Sequence, residues 1–164
     1  MSKLIFVMVL ILSSILPYVS EGGELVLFKS PLDFDRGYIN CNALFHVPLN
    51  EDVPDMRDFR CYASTGIYTL TLSGPTGKVV TVFGRFDFKK DSGFLIVKKT
   101  DDKLIWVRDL ERFPNKQWHK VEAKDEYGGY EAFYRASPSF ADNVSSVKWG
   151  EWWGKQEDLE DNGH

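Results

Sequence analysis

Three tryptophans stand within five positions near the end of the chain, in the stretch VKWGEWWG (147–154). If the alternation of a β-strand continues through it, Trp149, Glu151 and Trp153 share one face and Trp152 lies on the other. A face that carries Glu151 is not expected to be fully buried, so at least one tryptophan should lie at a surface. An exposed indole can stack on a sugar ring while a carboxylate accepts hydrogen bonds from its hydroxyls. These four residues are candidate ligand-binding residues, with packing of the last strand as the alternative.

A second cluster of aromatic residues occurs in DEYGGYEAFYR (125–135). Tyr127 and Tyr130 flank a pair of glycines and are candidates for a second ligand-binding platform. The alternative is a hairpin in which aromatic side chains pair across neighbouring strands.

The common catalytic motifs are missing from the sequence. It contains neither the G-x-S-x-G nucleophile elbow nor the H-E-x-x-H zinc-protease motif. His46 and His119 fall in strand-like runs, which favours a structural role for both. Carboxylates are numerous and two could meet in space as in a glycosidase, but the sequence alone does not place them, and a domain of roughly 140 residues is small for that role. We therefore predict a protein that is not an enzyme, with a small secreted hydrolase as an alternative.

The first residues have the pattern of a secretory signal. Lys3 precedes an apolar run at residues 4–16, and small and polar residues follow. The run is shorter than the roughly 20 residues of a membrane span. We predict a signal peptide over residues 1–22, with cleavage after Ser20 or Gly22. The protein is then secreted and extracellular, without a transmembrane segment.

Two cysteines, Cys41 and Cys61, remain after this leader. In an oxidising compartment such a pair is expected to form a disulfide. The loop it closes is about 20 residues long and would stabilise the fold by roughly 3 kcal/mol. The alternative is two buried thiols. The sequon at Asn143 (Asn-Val-Ser) predicts a glycan on that side chain.

The charge and the metal-binding residue types exclude several classes of partner. The chain has a formal net charge of −4, which does not favour binding to nucleic acid. Its two cysteines and three scattered histidines form no zinc-ligand cluster.

The hydrophobic periodicity is two rather than 3.6 through most of the chain. IYTLTLS (67–73) places Tyr and two Leu on one face and Thr and Ser on the other. About nine or ten such runs, separated by turn signals, predict a single all-β domain, an antiparallel β-sandwich or jelly roll. We place this domain at residues 23–154 and predict a disordered acidic tail at 155–164. Further runs of strand character are DFRCYA (58–63), KVVTVFG (78–84), SGFLIVKK (92–99), KLIWVR (103–108) and QWHKVEA (117–123).

Three stretches resemble the secreted domain named after farnesoic acid O-methyltransferase, which also accompanies natterin-type proteins. They are DFRCYASTGIYTLTLSGPTGKVVTVFG (58–84), DSGFLIVKK (91–99) and the ending VSSVKWGEWWG (144–154). The resemblance covers residues 58–154 and implies a β-sandwich used for recognition or self-association. It does not imply methyl transfer, because no G-x-G-x-G loop follows a strand in this chain.

Two other β-sandwich families are similar over shorter stretches. FADNVSSV (140–147) resembles the calcium loop of βγ-crystallins, which implies Asp142 and Ser145 as calcium ligands. Ala141 replaces the first acidic residue of that pattern, and calcium requires six or more oxygen ligands. We therefore expect no cofactor, with calcium as the alternative. NKQWHKVEA (115–123) is similar to a W-H-x-V strand of laminin-G-like domains.

These observations favour a secreted, non-enzymatic binding protein for carbohydrate or a cell-surface glycoprotein. The alternatives are a structural or self-associating extracellular protein, with or without calcium, and the small hydrolase.

Overall fold

The computed structural model describes residues 22–30, 43–63 and 66–160. Nine strands run through these residues: β1 Glu24–Ser30, β2 Ala43–Pro48, β3 Ile67–Leu72, β4 Val79–Phe83, β5 Phe94–Lys99, β6 Ile105–Val107, β7 Trp118–Val121, β8 Tyr130–Arg135 and β9 Ser146–Trp149. They form a four-stranded sheet in the order β2-β1-β3-β6 and a five-stranded sheet in the order β7-β8-β5-β4-β9. All neighbours within each sheet are antiparallel. The prediction of an all-β antiparallel sandwich is confirmed.

The alternation of side chains buries one face of each sheet in a shared core. In β3, Tyr68, Leu70 and Leu72 are buried, while the threonines between them are partly exposed. Each such aliphatic side chain contributes about 1.5–3 kcal/mol relative to an exposed one. The other strands contribute Leu25, Leu27, Phe45, Val47, Val80, Val82, Leu95, Val97, Ile105, Val107, Tyr130, Ala132, Tyr134, Val147 and Trp149.

The run DFRCYA, which we predicted to be a strand, is a series of turns. A 3-10 helix spans Met56–Asp58, and the Tyr62 amide then donates to the Phe59 carbonyl. Cys61 has a φ of +70°, a left-handed conformation that a regular strand cannot contain. Phe59, Cys61 and Tyr62 of this run still pack against the core, from turns and not from a strand.

Strands β4 and β5 are buried on both faces. Val80 and Val82 of β4 face the sandwich core, and Val79 and Phe83 belong to a second apolar cluster. This second cluster also holds Phe94, Ile96 and Phe133 from the neighbouring strands β5 and β8. It lies on the outer face of the five-stranded sheet, which therefore needs a cover.

The residues that follow β9 cover this outer face. After β9 the backbone turns at Gly150, whose φ of +79° is a conformation that favours glycine. Residues 150–160, which we name the C-terminal strap, then cross the outer face of the five-stranded sheet. They end in a short helix, α1 (Gln156–Glu160), whose Leu159 is fully buried in the second cluster. This differs from the prediction of a disordered tail, because Leu159 anchors five of its residues.

Two further 3-10 helices occur in loops, at Phe86–Phe88 and Phe140–Asp142. In the part of the chain that the structure describes, no helix is long and apolar enough to cross a membrane. The predicted signal peptide falls almost entirely outside the described residues.

Candidate functional site

The three tryptophans near the C-terminus do not share one strand. β9 ends at Trp149, so the predicted face of Trp149, Glu151 and Trp153 does not form. Trp149 points into the sandwich core and is 8% exposed. Among the described residues, its indole N–H has no hydrogen-bond partner.

Trp152 packs in the strap over the outer face of the five-stranded sheet. Its ring lies 5.6 Å from that of Phe83 and 5.5 Å from that of Phe94, measured between centroids. Its indole N–H donates to Thr81 Oγ1 at 2.8 Å. The side chain therefore has apolar neighbours and a satisfied polar group within its own chain.

Trp153 completes this aromatic layer. It lies between Trp152 and Trp118, with ring centroids 5.7 and 5.9 Å away. Trp118 in turn donates its indole N–H to Gln156 Oε1 at 3.2 Å. Glu151, the predicted acceptor for a ligand, pairs instead with Lys98 at 3.1 Å on the exposed side of the strap. These contacts are those of a packed segment.

The two predicted tyrosines do line an open groove, at another place on the surface. The groove has a volume of about 510 Å³. It lies at the edge of the sandwich, where β6 ends one sheet and β7 ends the other. Trp106, Val121, Tyr127 and Tyr130 supply its apolar surface.

Trp106 is the exposed aromatic residue of this groove. Ile105 and Val107 on either side of it are buried in the core, so the alternation of β6 turns Trp106 outward. The side chain is 36% exposed. Tyr127 lies against it with a centroid distance of 5.5 Å and an interplanar angle of 62°. Trp106 was not among the predicted site residues, although the pattern I-W-V, with two β-branched residues around one aromatic, indicates its outward direction.

Two arginines lie beside these rings. The Arg108 guanidinium carbon is 4.0 Å from the centroid of the Trp106 ring, a cation–π contact. Arg112 donates from Nη2 to the hydroxyl of Tyr130 at 2.6 Å. Tyr130 is only 2% exposed, and burial raises the pKa of its hydroxyl, an effect that the nearby Arg112 charge opposes. Tyr130 therefore holds Arg112 through its hydroxyl group. Because the side chain is buried, its ring is not available to stack on a ligand.

Carboxylates line the same groove. Glu122, Asp125 and Glu126 come from the loop between β7 and β8. Glu122 pairs with Lys120 at 2.9 Å. The loop is tied to the other sheet, because the Gly128 amide donates to the Leu104 carbonyl at 2.8 Å. The groove thus combines aromatic rings, guanidinium donors and carboxylate acceptors around one open volume.

The predicted sequon and calcium loop lie elsewhere, between β8 and β9. Asn143 is exposed, and its side-chain amide donates to the Ser139 carbonyl at 2.7 Å. Ser145 is buried, and its hydroxyl donates to the Asn143 carbonyl at 2.6 Å and lies 2.8 Å from the Tyr62 hydroxyl. Asp142 is partly exposed. No three His, Cys, Asp or Glu side chains within residues 22–30, 43–63 and 66–160 are grouped to hold a metal ion.

The predicted disulfide falls partly outside the described residues. Cys61 is partly buried, and the described part of the chain contains no free cysteine. Cys41 is not described, so the Cys41–Cys61 bond stays a prediction.

Comparisons of the chain with protein-family models, curated proteins and solved structures find no match. The resemblances noted in the sequence therefore stay predictions.

Proposed function

We propose that the protein is a secreted, non-enzymatic carbohydrate-binding module that takes its ligand, free or on a cell-surface glycoprotein, in the groove beside Trp106. The observation that carries the proposal is the exposed Trp106–Tyr127 pair within an open groove lined by hydrogen-bonding side chains. A volume of about 510 Å³ falls in the usual range of small-ligand sites. Aromatic rings beside donors and acceptors suit sugars, which have apolar C–H faces and hydroxyl edges.

The test is binding of the oxidised protein to a broad glycan array, with Trp106→Ala as the diagnostic variant. Trp118→Ala is the matched control, because Trp118 is 38% exposed and lies on β7 against the strap, outside the groove. Selective glycan binding that Trp106→Ala abolishes and Trp118→Ala retains is the expected result. Repeating the array in EDTA addresses the calcium alternative, since loss of binding there would move the site to the loop of Asp142 and Ser145.

The hydrolase alternative is addressed with the same reagents. Glu122, Asp125 and Glu126 place carboxylates in the groove, so any bound glycan is incubated with the protein and analysed for shorter products. We expect the glycan to stay intact. Turnover that Trp106→Ala removes would contradict the non-enzymatic function.

A second candidate function, self-association, is favoured by the outer face of the four-stranded sheet. Leu44 of β2 is 58% exposed there, and Ile67 of β3 is also exposed. Apolar side chains exposed on one face of a sheet mark contact with another protein when they form a contiguous patch. The measurement is sedimentation over a range of concentrations, in which Leu44→Lys should shift a self-associating protein towards the monomer.

A further inference from the structure

In the part of the chain that the structure describes, the two arginines of the groove form no ion pair with an acidic side chain. Ion pairs occur elsewhere on the surface, such as Arg57 with Asp55 and Arg85 with Asp91. Within the described residues, neither Arg108 nor Arg112 forms one. Two guanidinium groups thus line one open groove with their charges uncompensated by a direct contact.

Both guanidinium groups are held in place by neighbouring rings. Arg108 lies over Trp106 at 4.0 Å, and Arg112 is bonded to the Tyr130 hydroxyl at 2.6 Å and lies 5.1 Å from the centroid of Phe113. A guanidinium fixed in this way loses less entropy when it binds a planar carboxylate through two parallel hydrogen bonds. Together with the Lys124 ammonium, their remaining N–H groups are the charged donors of the groove.

The carboxylates of the groove limit how much negative charge it accepts. Asp125 and Glu126 come from the loop between β7 and β8 and form no ion pair among the described residues. Their carboxylate oxygens can accept hydrogen bonds from neutral hydroxyl groups, and their negative charge repels any anionic group beyond the one that the arginines bind. The formal net charge of −4 adds a weaker repulsion for polyanions.

We infer that the groove selects a sugar bearing a single carboxylate, with Arg108 and Arg112 holding the carboxylate and Asp125 and Glu126 accepting from hydroxyl groups. This inference rests on the proposed carbohydrate-binding function and specifies its ligand class. A neutral sugar would leave both guanidinium groups without a counter-charge in direct contact. A densely sulfated chain would bring further charges against the carboxylates.

The test compares three oligosaccharides by calorimetry with the full mature chain. The first ends in one uronate or one sialate, the second is the same molecule with its carboxylate reduced to an alcohol, and the third is a densely sulfated chain. We expect the acidic sugar to bind at least tenfold more tightly than its reduced form and more tightly than the sulfated chain. Equal binding of the acidic and reduced sugars would overturn the inference while leaving the proposed function intact.

Charge-conserving variants then locate the contact. Arg108→Lys and Arg112→Lys keep the positive charge but lose the planar fork, so each should weaken binding of the acidic sugar about fivefold or more, and by a larger factor than it weakens binding of the reduced sugar. Arg60→Lys, at an exposed arginine outside the groove, is the matched control. Unchanged affinity in both groove variants would overturn the assignment. Absence of binding to any glycan would reject the proposed function itself.

Discussion

Tryptophans cover the outer surface of this sandwich in two places, and the two places differ in what surrounds the rings. In the strap, Trp152 and Trp153 lie against Phe83, Phe94 and Trp118. In the groove, Trp106 has one aromatic neighbour and a charged one, with an open volume beside them. The density of aromatic residues is higher in the strap, yet the surroundings of Trp106 are those of a binding site.

The hydrogen bonds of the indole groups show the same difference. The N–H groups of Trp152 and Trp118 each have an acceptor within the chain, Thr81 and Gln156. One acceptor, Thr81, lies on β4 beneath the strap, and the other, Gln156, belongs to the strap, so both hydrogen bonds join the strap to the sheet. In the groove the fixed donors belong to arginines and are directed at a surface open to solvent. Polar groups whose hydrogen bonds are formed within the protein indicate packing. Polar groups that are held rigid at an open groove indicate ligand recognition.

The largest effect that we expect in this comparison comes from Trp152→Ala. It removes a large ring from the second apolar cluster and should lower the free energy of unfolding by about 3 kcal/mol. The measurement is equilibrium unfolding in urea. Trp152→Phe keeps most of the ring contacts and serves as the control, with a smaller loss. A loss below about 1 kcal/mol for Trp152→Ala would show that the strap does not hold the sheet.

A smaller effect is expected from Thr81→Val, which keeps the shape of the side chain. It leaves the Trp152 indole N–H without its acceptor, so the free energy of unfolding should fall by about 1–2 kcal/mol. Thr71→Val is the matched control, because Thr71 is partly exposed on the outer face of the other sheet. Equal stability of the two variants in the same urea titration would mean that the hydrogen bond contributes nothing.

The smallest effect is expected from Glu151→Gln. The Lys98–Glu151 pair is exposed to solvent, so breaking it should change the free energy of unfolding by less than about 0.5 kcal/mol. Glycan binding should also be unchanged, since Glu151 lies on the strap and not in the groove. A marked loss of binding in the array would restore Glu151 to the role that the sequence first suggested.

The fold was predictable because alternation is a local signal. β3 shows it directly, and the continuous apolar runs of β4 and β5 agree with strands buried on both faces. The failures come from single backbone conformations. A φ of +70° at Cys61 breaks the predicted strand before β3, and Gly150 turns the chain away from the continuation of β9.

The groove was only partly predictable because residues distant in sequence form it. Tyr127 and Tyr130 were identified as a candidate platform, and both line the groove. Their aromatic partner Trp106 comes from a strand of three residues, which is too short to give a clear periodic signal. Arg108 and Arg112 are identified as site residues only by their contacts with Trp106 and Tyr130. The spacing of these residues along the chain does not predict the contacts.

One paired measurement tests most directly whether the two tryptophan regions have different roles. Trp106→Ala and Trp152→Ala are compared for both urea unfolding and glycan binding. We predict that Trp106→Ala changes the free energy of unfolding by less than about 1 kcal/mol and abolishes binding, because its ring is exposed. Trp152→Ala should destabilise the protein by about 3 kcal/mol and retain binding wherever it is still folded. The reverse pattern, with binding lost in a stable Trp152→Ala and retained in Trp106→Ala, would contradict the account.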